Sequence, residues 1–206
     1  MSVVFFSRIA ITGSQSGVHQ FRKDARRVLP ANLKKQLRIA TIALSFEKLF
    51  RLHPELDYSE ADPPGDEYHY IANSEASTRW HEFTQAHYTL EVANVQIHEL
   101  LLPLSRYYPE LAFVNSELCL DDSSVSSACT RCKRQYLWDL PEKQTEAHWK
   151  AAAEAEGMDV ETAYETDDCG VRWDAEDRMV RDGLAHWDKA VLRFLRRAPL
   201  ERRVSS

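Results

Sequence analysis

The stretch from His87 to Phe113 constrains the fold more than any other part of this chain. Tyr88, Leu90 and Val92 alternate with Thr89, Glu91 and Ala93, the period-two pattern of a strand with one buried face. Leu100, Leu101, Leu104 and Tyr108 then recur at helical spacing. Pro109 ends that helix, because the residue before a proline is pushed out of the helical region. Leu111 and Phe113 restart the alternation. Strand, helix, strand over 27 residues predicts a layered α+β domain.

Around this unit the other elements fall into place. Residues 2–12 predict a first strand. Gly13-Ser14-Gln15-Ser16-Gly17 is a turn in which Ser14 or Ser16 caps a helix carrying Val18, Phe21, Ala25, Val28 and Leu29, stopped by Pro30. Residues 32–50 fit a helix or an extended segment. Residues 54–66 have loop composition, and residues 68–80 read as a short helix or irregular segment. Residues 112–120 and 131–139 predict a strand pair joined through a polar turn, Asp121 to Ser127. Pro141 marks a boundary, giving a domain over residues 1–140 and an acidic helical extension over 141–206. In the extension a helix over 145–156 stops at Gly157, and one long helix spans 174–197. Its stripe of Met179 or Val180, Leu184, Trp187, Val191 and Leu195 suits either packing on the sheet or partner binding.

Leu104-Ser105-Arg106-Tyr107-Tyr108-Pro109-Glu110-Leu111 resembles a segment of the YubB-type ferredoxin-like proteins of plasmids, phages and integrative elements. So do Ile9-Ala10-Ile11-Thr12-Gly13, then Leu44 to Leu49 with His53 to Leu56, and Ser77-Thr78-Arg79-Trp80, in the family's order. The family's Trp-Gly is replaced by Ala76-Ser77. The resemblance covers roughly residues 1–140. It implies a ferredoxin-like antiparallel sheet with helices on one face and a mobile-element origin, and no established activity.

Charge is split along the chain. Residues 1–53 hold ten Lys/Arg against two Asp/Glu, so a net −6 overall leaves −14 for the remainder. Between Glu154 and Asp182 eleven acids face Arg172, Arg178 and Arg181. Such polarity orients association with a charged partner, or is an uneven solvated surface. No run reaches the roughly 18 apolar residues of a membrane helix. The start lacks the basic region and long apolar core of a signal peptide. A cytoplasmic protein without a membrane partner is the expectation.

Three sites compete. The first is a protein-docking surface: Asp167, Asp168, Asp174 and Asp177 approach a basic groove, and Trp187 with Arg193, Arg196 or Arg197 anchors the contact. With no catalytic constellation in view, this predicts a non-enzymatic interaction protein. An inhibitor of a host nucleoprotein complex, such as a CRISPR effector, is the sharpest form. The second is a nucleic-acid surface through Arg22, Lys23, Arg26, Arg27, Lys34, Lys35 and Arg38. The third is zinc on Cys129 and Cys132, whose spacing suits two tetrahedral ligands, completed from Cys119, Cys169, His148 or His87. A second tight pair is missing, so no cofactor is the primary expectation. The eight histidines include no His-Glu-x-x-His motif, and no nucleotide-binding or nucleophile-elbow motif is present.

Overall fold

The computed structural model describes residues 3–28, 31, 41–53, 69–74, 77–93, 95–121, 123–132, 134–166 and 169–197. The chain is α+β. Its strands are β1 (Val4–Gly13), β2 (Arg27–Val28), β3 (Thr41–Ile42), β4 (His69–Ser74), β5 (Thr78–Trp80), β6 (Phe83–Ala93), β7 (Ala112–Cys119), β8 (Val125–Arg131) and β9 (Arg134–Asp139). Its helices are α1 (Gln15–Ala25), α2 (Phe46–Leu52), α3 (Ile97–Leu104), α4 (Glu142–Ala155), α5 (Val160–Thr166), α6 (Cys169–Ala185) and α7 (Asp188–Arg197). The main sheet runs β4-β6-β1-β7-β8-β9, with β5 also on β6, and every pairing is antiparallel. A separate two-stranded ribbon joins β2 to β3.

β1 lies in the middle, with Ile9 opposite Tyr88 on one side and Asn115 on the other. Ile9, Ile11, Tyr88, Leu90 and Phe113 point to one face and are covered by Phe21 of α1, Phe46 and Leu49 of α2, and Leu100, Leu101 and Leu104 of α3. The edge-to-face contacts of Phe21 with Tyr88, Tyr108 and Phe113 tie α1 to that core.

Helices also cover the other face, which corrects the one-face expectation. Ala10, Ala112, Val114 and Cys129 pack under Trp187, Val191 and Leu195 of the α7 region. Leu118 and Val125 pack under Met179 and Val180 of α6. The reason lies in β7, where seven consecutive residues from Ala112 to Leu118 are buried. A strand buried on both sides cannot leave one face to water. α4 packs outside this layer, with Trp149, Ala152 and Ala153 against Ala163 of α5 and Val171 and Ala175 of α6. The stripe on the last helices is therefore core, and α6 and α7 pack directly on the sheet.

Three boundaries differ from expectation. The segment over 174–197 is two helices, broken where the Trp187 backbone N–H bonds the Leu184 carbonyl. The expected pair of 112–120 with 131–139 is not formed: β8, starting at Val125 within the Ser-rich connection, lies between β7 and β9 and pairs with both. The segment before Trp80 contains β4, not a helix. No helix among the described residues is long and apolar enough to cross a membrane.

Candidate anion-binding cleft

Helix α1 begins where the Ser14 hydroxyl accepts the Gly17 N–H at 3.1 Å, the expected N-cap. Gly17, Val18, Phe21 and Ala25 form its buried face. Arg22, Lys23 and Arg26 therefore fall on the flank, toward the β2–β3 ribbon. Lys48 of α2 donates to the carbonyls of Lys23 (3.1 Å) and Arg26 (2.7 Å), which places a cation at the helix C-terminus and locks α2 to α1.

A cleft of about 720 Å³ opens here, walled by Arg22, Lys23 and Arg26, by Val28 and Thr41 of the ribbon, and by Tyr88 of β6. The neighbouring acids are engaged elsewhere. Glu47 takes Arg27 and Arg51. Asp24 accepts Gln20 at 2.8 Å and the Tyr108 hydroxyl at 3.1 Å. Arg22, Lys23 and Arg26 have no acid partner among the described residues. Tyr88 is 2 % exposed, and its hydroxyl, with Arg22 beside its oxygen, has no acceptor for its hydrogen among the described residues. Burial pushes that phenol up to about 12, only partly offset by Arg22 nearby. The cleft thus combines three cations with a protonated hydroxyl, and its described lining carries no carboxylate, histidine or cysteine. That chemistry suits an anion.

The structure separates the proposed nucleic-acid residues. Arg22, Lys23 and Arg26 converge, Arg27 turns to Glu47, and Lys34, Lys35 and Arg38 lie outside the described residues. The docking set fares differently. Asp174 pairs with Arg178 at 2.8 Å. Asp177 pairs with Arg181 and with Arg8 of β1, so it fastens α6 to the sheet. Trp187 is buried and donates its indole N–H to the Ser127 hydroxyl at 2.9 Å, which removes it as a surface anchor. Arg193 and Arg197 are exposed, Arg196 pairs with Glu82 at 2.6 Å, and Asp167 and Asp168 lie outside the described residues. Trp173 is the tryptophan at the surface of α6, 62 % exposed.

Cys129 sits in the core beneath Trp187, and burial pushes its thiol up to about 12. Cys132 is exposed at φ +47° in the turn leaving β8, its thiol donating to the Pro109 carbonyl at 3.1 Å. No group of three or more His, Cys, Asp or Glu poised to hold a metal occurs among the described residues.

One buried acid escaped sequence reasoning. Glu117 on β7, 1 % exposed, accepts the His98 backbone N–H at 3.0 Å and the Asn115 amide at 2.6 Å. It caps α3 from across the fold, where Gln96 at the N-cap gives no side-chain bond. Burial pushes it up to about 8. Ser7 Oγ, Asn115 Oδ1 and Glu117 Oε2 are all enclosed without partners. Ser7 is the cross-strand neighbour of Glu117, so a protonated carboxyl has candidate acceptors on its own face.

No family model matches the chain, and no curated protein or solved structure is significantly similar to it.

Proposed function

We propose that this is a non-enzymatic binding protein that holds the sugar-phosphate backbone of a single nucleic-acid strand in the α1/β2–β3 cleft. The observation that carries this is the convergence of Arg22, Lys23 and Arg26, free of acid partners among the described residues, on one open cleft. The net charge of −6 makes the attraction local. The scaffold fits a ferredoxin-like fold: four strands in the order β7-β1-β6-β4, with α1 and α3 each crossing over one intervening strand. The resemblance to YubB-type proteins adds to this reading, and it implies a mobile-element origin.

The test is anisotropy of a labelled single-stranded oligonucleotide across a salt series. Affinity should fall linearly on logarithmic axes, and replacing Arg22, Lys23 and Arg26 together by Ala should reduce the slope by about 2. An unchanged slope, or no binding by the wild type, refutes the reading.

A second reading keeps the docking role against a host nucleoprotein complex. It is favoured by Trp173, exposed one residue before Asp174, with Arg193 and Arg197 also exposed. A tagged pull-down with a nuclease-treated duplicate separates the two. One protein complex recovered in both samples supports docking, and recovery lost after nuclease supports the cleft.

A further inference from the structure

The Tyr88 hydroxyl sets a stricter condition on the ligand than charge alone. The side chain rises from β6, near the middle of the sheet, into the base of the cleft and is 2 % exposed. Its O–H has no acceptor among the described residues, and a buried donor left unpaired costs about 1–3 kcal/mol. Arg22 stands close enough to act on it, yet a guanidinium offers only donors. Both groups therefore present hydrogens to the same enclosed place. The matching occupant is an oxygen-rich anion seated at the base, with Lys23 and Arg26 nearer the rim.

The burial of that hydroxyl also bears on which part of a strand can reach it. A phosphodiester inside a strand carries chain on two sides and about one negative charge. A terminal monoester carries chain on one side, three acceptor oxygens, and a charge of about −1.5 to −2 at neutral pH. Three cations and one neutral donor fit the dianion better than the monoanion. We propose that the base of the cleft, formed by Tyr88 and Arg22, is a pocket for a terminal phosphate monoester, so that the protein grips the phosphorylated end of a strand in preference to its interior. This rests on the nucleic-acid reading above.

The test compares one oligonucleotide bearing a 5′-phosphate, a 3′-phosphate or hydroxyl ends, with a nucleoside monophosphate as competitor. Tyr88→Phe is the decisive variant. It keeps the ring and removes a hydroxyl whose hydrogen has no acceptor among the described residues and whose oxygen lies by Arg22, so the urea midpoint should fall little, whereas a merely structural tyrosine would lose stability and leave the end preference unmoved. One phosphorylated end should bind about tenfold more tightly than hydroxyl ends, and Tyr88→Phe should erase most of that preference. Equal affinity for all three ends, with the salt slope still set by the α1 cations, overturns the pocket and leaves backbone binding standing. A mononucleotide that binds as tightly as the strand supports the pocket and overturns the strand as its ligand. Failure of every oligonucleotide and of the mononucleotide overturns both.

Discussion

Replacing Gly183 by Ala tests whether α6 lies on the second face of the sheet as described. A Cβ built there stands 2.1 Å from Ser116 Oγ, 3.0 Å from Ser116 Cβ and 3.3 Å from Ser127 Cβ. On an exposed helix the change would stabilise by about 1 kcal/mol through helix propensity. Here the extra methyl must push β7 and α6 apart or force the Ser116 side chain to turn, and overpacking of this kind costs about 1–3 kcal/mol. Since Ser116 Cβ still crowds the site after rotation, the net expectation is a loss of about 1–2 kcal/mol. Urea unfolding reads it as a lower midpoint at an unchanged slope. Ser116→Ala alone should be near neutral, because its hydroxyl is enclosed without a partner. Added to Gly183→Ala it should recover part of the loss, giving a coupling of about 0.5 kcal/mol or more. Gly157→Ala is the contrast: φ is +70° with nothing within 4 Å, so its cost of about 1 kcal/mol is backbone strain and independent of Ser116. A Gly183→Ala protein as stable as wild type, or more so, refutes the close approach of helix and sheet.

Other outcomes follow from the same geometry. Glu117 rises from 4.5 unfolded to about 8 folded, so its contribution is complete below pH 4.5 and is lost as pH climbs toward 8, at about 1.4 kcal/mol per unit. Between pH 5.5 and 7.5, urea unfolding should show Glu117→Gln gaining roughly 2 kcal/mol on wild type, and a constant difference sinks the idea. Brief thiol labelling with mass spectrometry should mark exposed Cys132 and Cys169 first and Cys129 only on unfolding; simultaneous labelling of Cys129 would place it at the surface. Asp177→Asn should cost about 1–2 kcal/mol, because its partner Arg8 is largely enclosed, while Asp174→Asn, in a pair about 40 % exposed, should stay within about 0.5 kcal/mol. Equal effects in thermal unfolding would mean that Asp177 does not hold α6 to the sheet.

The parts legible in the sequence are those whose side chains alternate against one apolar layer. Tyr88, Leu90 and Val92 do face the core together, and Ser14 does cap α1. β8 was hidden because its second-face residues include Ser127, which is small to admit Gly183 and polar to receive the Trp187 indole, so composition reads as turn. The second helical layer was masked because Ala10, Ala112 and Val114 look neutral one at a time, and only the paired register makes them a continuous apolar floor. At the cleft, the basic run of α1 was visible, but Arg27 could be separated from Arg22 and Arg26 only by the position of Glu47. Tyr88 read as a core residue and is one. Its second role depends on which helix crosses above it, and Glu117 likewise looks like any strand acid until α3 arrives.

The central position of β1 also governs when this protein can form. Val4 pairs with Ala93, Phe5 pairs with Cys119, and Arg8 closes its ion pair with a residue 169 positions along the chain. Almost nothing the first strand needs lies near it in sequence. Such wiring makes loop closure the slow event, with a folding time in milliseconds or longer for topologies of this kind. Until β6 and β7 reach it, the run Val3 to Phe6 and the apolar Ile9 to Ile11 offer two unpaired edges to any neighbouring chain. The same arrangement that pairs β1 along both edges in the finished sheet leaves both edges open for association until the chain is long enough to close them.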